Sequence, residues 1–223
     1  LGVTTTGAIT QSGILTITGT TTLVAGGPSN ITLNNAANDF STVAVTTGNI
    51  VALTDINALD LGASTVSGIF TVISGGAAGG ITDSGNLTVT GAASFTVANA
   101  RSIVLDSAGN VFNGTVSFLA SAGNIQDVTV VDTTALDLQA PSLVILGNLS
   151  VTAAGITQSG FLTVPGTTTL VAGANNITLS NASNNFTGAA QMMKNCIRCR
   201  GADATFSLDT LSVDNTNPAR PAI

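Results

Sequence analysis

The 223-residue chain has no histidine, tryptophan, tyrosine or glutamate, and only 7% of it is charged. Each absence excludes something. Without Tyr and Trp there is no material for the aromatic girdles of a transmembrane β-barrel. Without His, and with only two Cys, a four-ligand zinc site cannot be completed in the usual way. Five Lys and Arg residues leave no basic patch outside one short segment near the end, so a nucleic-acid partner has no electrostatic footprint. A basic amphipathic helix for a membrane surface is equally lacking. No apolar run approaches the roughly 18 residues of a membrane-spanning helix. No Met opens the chain and no signal peptide is recognisable. Val3-Thr-Thr-Thr-Gly7 stands where Leu149-Ser-Val-Thr-Ala-Ala-Gly155 stands later, so the chain is expected to be a piece of something longer.

What is present is 44% hydrophobic, enough to fill a core and to argue against disorder. Val, Ile, Leu and Ala are interleaved with Thr, Ser, Asn and Gly, a mixture that suits strands and turns. Above all, the chain repeats itself. Gly7-Ala-Ile-Thr-Gln-Ser-Gly13 returns as Gly80-Ile-Thr-Asp-Ser-Gly85 and as Gly155-Ile-Thr-Gln-Ser-Gly160, so that Ile9, Ile81 and Ile156 mark the period. Other landmarks keep the same company. Leu15-Thr-Ile-Thr-Gly19 matches Leu87-Thr-Val-Thr-Gly91 and Leu162-Thr-Val-Pro-Gly166. Thr20-Thr-Thr-Leu-Val-Ala-Gly26 matches Thr167-Thr-Thr-Leu-Val-Ala-Gly173. A lone Phe follows each anchor, at Phe40, Phe112 and Phe186, and Ala58-Leu-Asp-Leu61 recurs as Ala135-Leu-Asp-Leu138.

Inside each unit, apolar and polar residues alternate over short runs, as at Leu15 and Ile17 or Leu59 and Leu61, and turn residues interrupt them. Such strands need neighbours that bury the same face. An antiparallel sandwich and a parallel β-helix, or β-solenoid, both supply them. Near-identity of the super-repeats favours the β-helix, on the reasoning that each rung then meets a copy of its own sequence and the single Phe per repeat forms a stack. A super-repeat of roughly 72–75 residues then holds three or four rungs of about 18 to 25 residues, and the rod is about 45 to 55 Å long. The repeat region is expected at residues 1–190, with repeats near 7–79, 80–154 and 155–190. Residues 191–223 form an atypical segment and tail: a cap, an inserted loop or a stretch foreign to the repeat.

Reactive chemistry finds little purchase. Cys196-Ile-Arg-Cys199 is a Cys-x-x-Cys without two further zinc ligands or a thioredoxin-like context, which leaves a local disulfide or incidental thiols. Asp39, Asp55, Asp60, Asp83, Asp106, Asp127, Asp132 and Asp137 sit mostly in turns or on strand faces. Asp60 and Asp137 share a repeat position, which argues for structural duty and against a glycosidase pair. Gly75-Gly-Ala-Ala-Gly-Gly80 has the glycines of a calcium-binding β-roll but no aspartates in register. Asn-x-Thr triplets such as Asn30-Ile-Thr32 and Asn86-Leu-Thr88 arise wherever an Asn turn precedes a Thr-rich strand. The Thr-Thr-Thr blocks suggest an ice-binding face, but the middle repeat reads Ala92-Ala-Ser-Phe95 there. No catalytic, cofactor-binding or metal residue is assigned, no cofactor is expected, and the chain is not expected to be an enzyme.

The anchors, the Leu-Thr-Val-Thr-Gly and Thr-Thr-Thr-Leu-Val-Ala-Gly blocks and the Asn-Asp-Phe and Ala-Leu-Asp-Leu landmarks together resemble the β-strand repeats of large bacterial surface proteins of the filamentous haemagglutinin type. The resemblance covers about residues 1–190. It implies an all-β, right-handed parallel β-helix, secretion through the outer membrane, and service as the structural shaft of an adhesin or extracellular fibre at the bacterial cell surface. Expected partners are neighbouring repeats of a longer chain, other copies end to end, and host or surface glycans. The alternatives are a glycan- or ice-binding module and a self-assembling filament subunit.

Overall fold

Alternating residues can bury one face only if the next strand buries the same face, and the chain meets that demand by coiling. The computed structural model describes residues 1–76, 78–138, 142–193 and 196–199, and in these residues the regular structure is β-strand without helix. Every ladder between the strands is parallel. The molecule is a β-solenoid.

Its first face is one continuous ten-stranded sheet, running from Gly2–Thr5 through Leu59–Leu61, Ile81–Asp83 and Val128–Val131 to Ala190–Met193. The second face begins with a six-stranded sheet, Ile9–Thr10 to Val116–Ala120. It continues as a four-stranded one whose first strand, Leu136–Leu138, lies against Val116–Ala120. The offset between successive rungs of the first face varies, being shortest where Val43 pairs with Leu61 and longest where Ile103 pairs with Val128. Nine strand-to-strand steps make a rod about 43 Å long, slightly below the length expected from the sequence. The core is a single narrow column: Ile31, Val51 and Phe70 stack in consecutive rungs of the second face, and Leu59, Ile81 and Ile103 do so on the first, all almost fully buried.

A short third strand joins the two faces at one corner of each rung, and it changes side. In the first rungs it lies where the chain passes from the second face to the first, with Thr16 and Ile17 paired to Asp39 and Phe40. Next it lies on the opposite edge, as Ser64–Val66, Leu87–Val89 and Val111–Phe112. Then it returns to the original edge as Leu143–Val144, Leu162–Val164 and Asn185–Phe186. Each change inserts about half a turn. The anchor isoleucines show the result: Ile9 and Ile156 lie on the second face, whereas Ile81 lies on the first. Leu23 and Leu170 hold the same repeat position two super-repeats apart and are separated by seven steps of the first face. One super-repeat is therefore three and a half turns.

This phase overturns one expectation. A rung does not meet a copy of itself, because its copy lies three and a half turns away. It meets a different strand about one turn on. The repeat-marking phenylalanines Phe40, Phe112 and Phe186 accordingly do not stack on one another. The ring cluster is instead Phe70 edge-on to Phe95, Phe95 edge-on to Phe112, both at 6.0 Å between centroids, and Phe118 stacked on Phe95 at 6.3 Å.

Candidate functional site

The anchor motif owes its residues to one recurring corner. Its isoleucine is buried, its threonine exposed, and its third residue reaches the next rung to clasp a buried asparagine two positions before the marker phenylalanine. In the first repeat Gln11 Nε2 donates to Asn38 Oδ1 at 2.7 Å, and Asn38 Nδ2 donates back to Gln11 Oε1 at 2.8 Å. Gln158 and Asn184 form the same two bonds at 2.8 and 2.7 Å. In the middle repeat the acceptor is a carboxylate: Asn110 Nδ2 donates to Asp83 Oδ2 at 2.6 Å. All three asparagines also receive a backbone N–H, from Leu15, Leu87 and Leu162. Sequence reasoning marked the anchor and counted Asn38 in the Asn-Asp-Phe landmark, but did not pair these asparagines with the anchor. The signal was there, since each lies 26 or 27 residues after its partner.

Two further aspartates stand where the corner strand changes side. Phe40 N donates to Asp55 Oδ2 at 2.6 Å, and Phe112 N donates to Asp132 Oδ1 at 3.2 Å. Each carboxylate thus caps the last strand of a corner stack, and in each case two residues separate it from the Ala-Leu-Asp-Leu block that follows. Within that block Asp60 accepts from Ser84 N at 2.9 Å and from Ser84 Oγ at 2.6 Å, while Ser159 Oγ donates to Asp137. The anchor serine of one rung is thereby held by the aspartate of the rung before. These carboxylates take backbone and hydroxyl donors of their own fold, while Asp132 Oδ2 and Asp137 Oδ1 are buried without a hydrogen-bond partner.

Burial pushes the carboxyls of Asp55 and Asp83 above the usual carboxylate range. Hydrogen bonds from Phe40 and Asn57, and from Asn110, Ser107 and Asp106, pull the other way, while the charges of Asp39 and Asp106 add to the rise. Among the described residues no three of His, Cys, Asp and Glu lie close enough to hold a metal ion. Cys196 and Cys199 fall in a strand paired to Ile177–Leu179, and their side chains lie outside the described residues.

The threonine blocks do not form flat ranks. Thr21 and Thr168, each the middle member of its block, point into the core. The outward row of the first face takes one residue from each rung, as in Thr20, Thr42, Asp60, Thr82, Val104 and Thr129, so carboxylate and valine interrupt the hydroxyls. Two of the Asn-x-Thr asparagines are corner acceptors: Asn30 Oδ1 takes Ile50 N at 3.1 Å and Asn86 Oδ1 takes Gly109 N at 3.2 Å.

One groove of about 450 Å³ opens at the first change of side. The corner stack ends there on Asp39 and Phe40, and the next rung crosses directly through Asn57 and Ala58 to Leu59 and Asp60.

Residues 1–47, 47–119 and 125–192 match the family described as repeats of unknown function (DUF5649). No curated protein and no solved structure matches the chain.

Proposed function

The chain belongs to this family of repeats, and from that premise we propose that it is a structural shaft segment of a secreted bacterial surface adhesin or extracellular fibre. It works by rigid length and a repeated Thr/Asn surface. One observation carries the reading: a single sheet continues unbroken through ten strands over one narrow core. Polar side chains of the rungs are spent on holding corners, as at Gln11 with Asn38 and Ser84 with Asp60, which suits a chain selected for stacking. Its partners are then neighbouring repeats of a longer chain. Among the described residues no helix is long and apolar enough to cross a membrane.

Electron microscopy of the full-length protein on its native cells, with an antibody to the repeat, tests this. A label distributed along thin surface fibres is the expected result. A label confined inside the cell, or on compact particles, overturns it.

A further inference from the structure

The groove at the first change of side is built by the fold and has a definite chemistry. Its floor is apolar, formed by Ile17, Ala58 and the edges of Phe40 and Leu59. Its rim carries Asp39 and Asp60 together with hydroxyls such as that of Thr18. No lining residue is cationic, and among the residues whose side chains are described the only Lys or Arg is Arg101. Asp60 is already engaged by Thr42, Thr82 and both donors of Ser84, so it contributes field and little bonding capacity. Asp39 differs: one oxygen accepts Asn57 Nδ2 at 3.0 Å, and the carboxylate lies close enough to buried Asp55 for their charges to repel. A positive charge beside Asp39 relieves that repulsion, and an aliphatic stem behind it covers the floor.

We propose that this groove binds an alkylammonium group, with Asp39 as the direct partner of the cation and Ile17 and Ala58 as the seat of its methylenes. Two sources share that chemistry, a free aliphatic diamine and a lysine side chain of another protein. The inference does not rest on the shaft reading, since a groove on a rod and a groove on any other β-solenoid would bind alike.

The test is a titration of the 223-residue chain followed by amide NMR shifts. The probes are cadaverine, N-acetyl-lysine methylamide and, as the uncharged control, N-acetyl-norleucine methylamide. Expected are saturable shifts at Thr18, Phe40, Ser41 and Asn57 with the two amines, at millimolar concentration, weakened by salt and absent with the norleucine control. Asp39→Asn abolishes them, whereas Asp106→Asn, an exposed carboxylate outside the groove, leaves them in place. Tighter binding of cadaverine assigns the groove to free diamines, and tighter binding of the lysine derivative assigns it to protein lysines. Equal shifts from the norleucine control, unsaturable shifts, or binding retained by a folded Asp39→Asn variant overturn the proposal.

Discussion

Thr168 and Thr21 bury hydroxyls that find no hydrogen-bond partner, at 1% and 0% exposure. A buried unpaired hydroxyl is a net cost, and valine has nearly the same shape. Thr168→Val is therefore expected to stabilise the chain by about 1 kcal/mol, read as a higher denaturant midpoint with an unchanged slope. Asn110 is the opposite case. It satisfies Leu87 N, Asp83 and the carbonyl of Leu105 at once. Asn110→Ala leaves a buried donor and a buried carboxylate without their partner, at about 3 kcal/mol. The buried carboxyls also set a pH dependence. Asp55 and Asp83 keep protons in the folded state that unfolded aspartates, near 3.8, have released. The folded chain thus binds more protons than the unfolded one as pH falls from neutrality, and stability rises with acidification until pH drops below that unfolded value. The chain is expected to resist denaturant better near pH 4 than at pH 7. Asp83→Gln, which writes the residue of the other two repeats into the middle one, is expected to flatten this dependence while keeping the clasp. A profile that stays as steep in the variant would assign the effect elsewhere.

At the scale of elements, the corner strands explain which landmarks were legible. Alternation such as Leu15-Thr-Ile revealed strands, and the anchor revealed that they recur, because both are written in neighbouring residues. The phase was hidden. Nothing between Ile9 and Ile81 states that the interval spans three and a half turns, since successive rungs share neither a sequence nor a fixed spacing. The Ala-Leu-Asp-Leu landmark was visible as a repeat, but the role of the aspartates just before it, Asp55 and Asp132, was not, because they act on phenylalanines 15 and 20 residues earlier. The groove was illegible for the same reason, because it exists only where two rungs differ. Glycines mark the edge on which the corner strand lies. Gly68, Gly91 and Gly114 stack in consecutive rungs so closely that a Cβ on Gly114 would sit 2.2 Å from the carbonyl oxygen of Gly91. Gly114→Ala is expected to cost about 1–3 kcal/mol through forced backbone shifts. Gly19→Ala, at a glycine with open space around it, should be close to neutral in the same thermal melt.

For the whole molecule, the first and third anchors share a face and the middle one does not. Thr10 and Thr157 are outward, exposed positions on the second face, seven rungs apart. Spin labels placed there, with Cys196 and Cys199 replaced by serine, are expected to lie about 34 Å apart in a pulsed electron resonance measurement. A distance of half or double that value would contradict the assigned rung count. The agreement would also fix the rise per super-repeat, from which the length of any longer array follows.

The alternating corner has a mechanical consequence. A beam whose cross-section carries its broad side always on one edge is stiffer in one plane and curves in the other. Here the broad side passes to the opposite edge every three and a half turns, so the bending preferences of neighbouring segments oppose and cancel. A long array of such units is then expected to fluctuate about a straight line, without a built-in coil, although no single segment of it is symmetric.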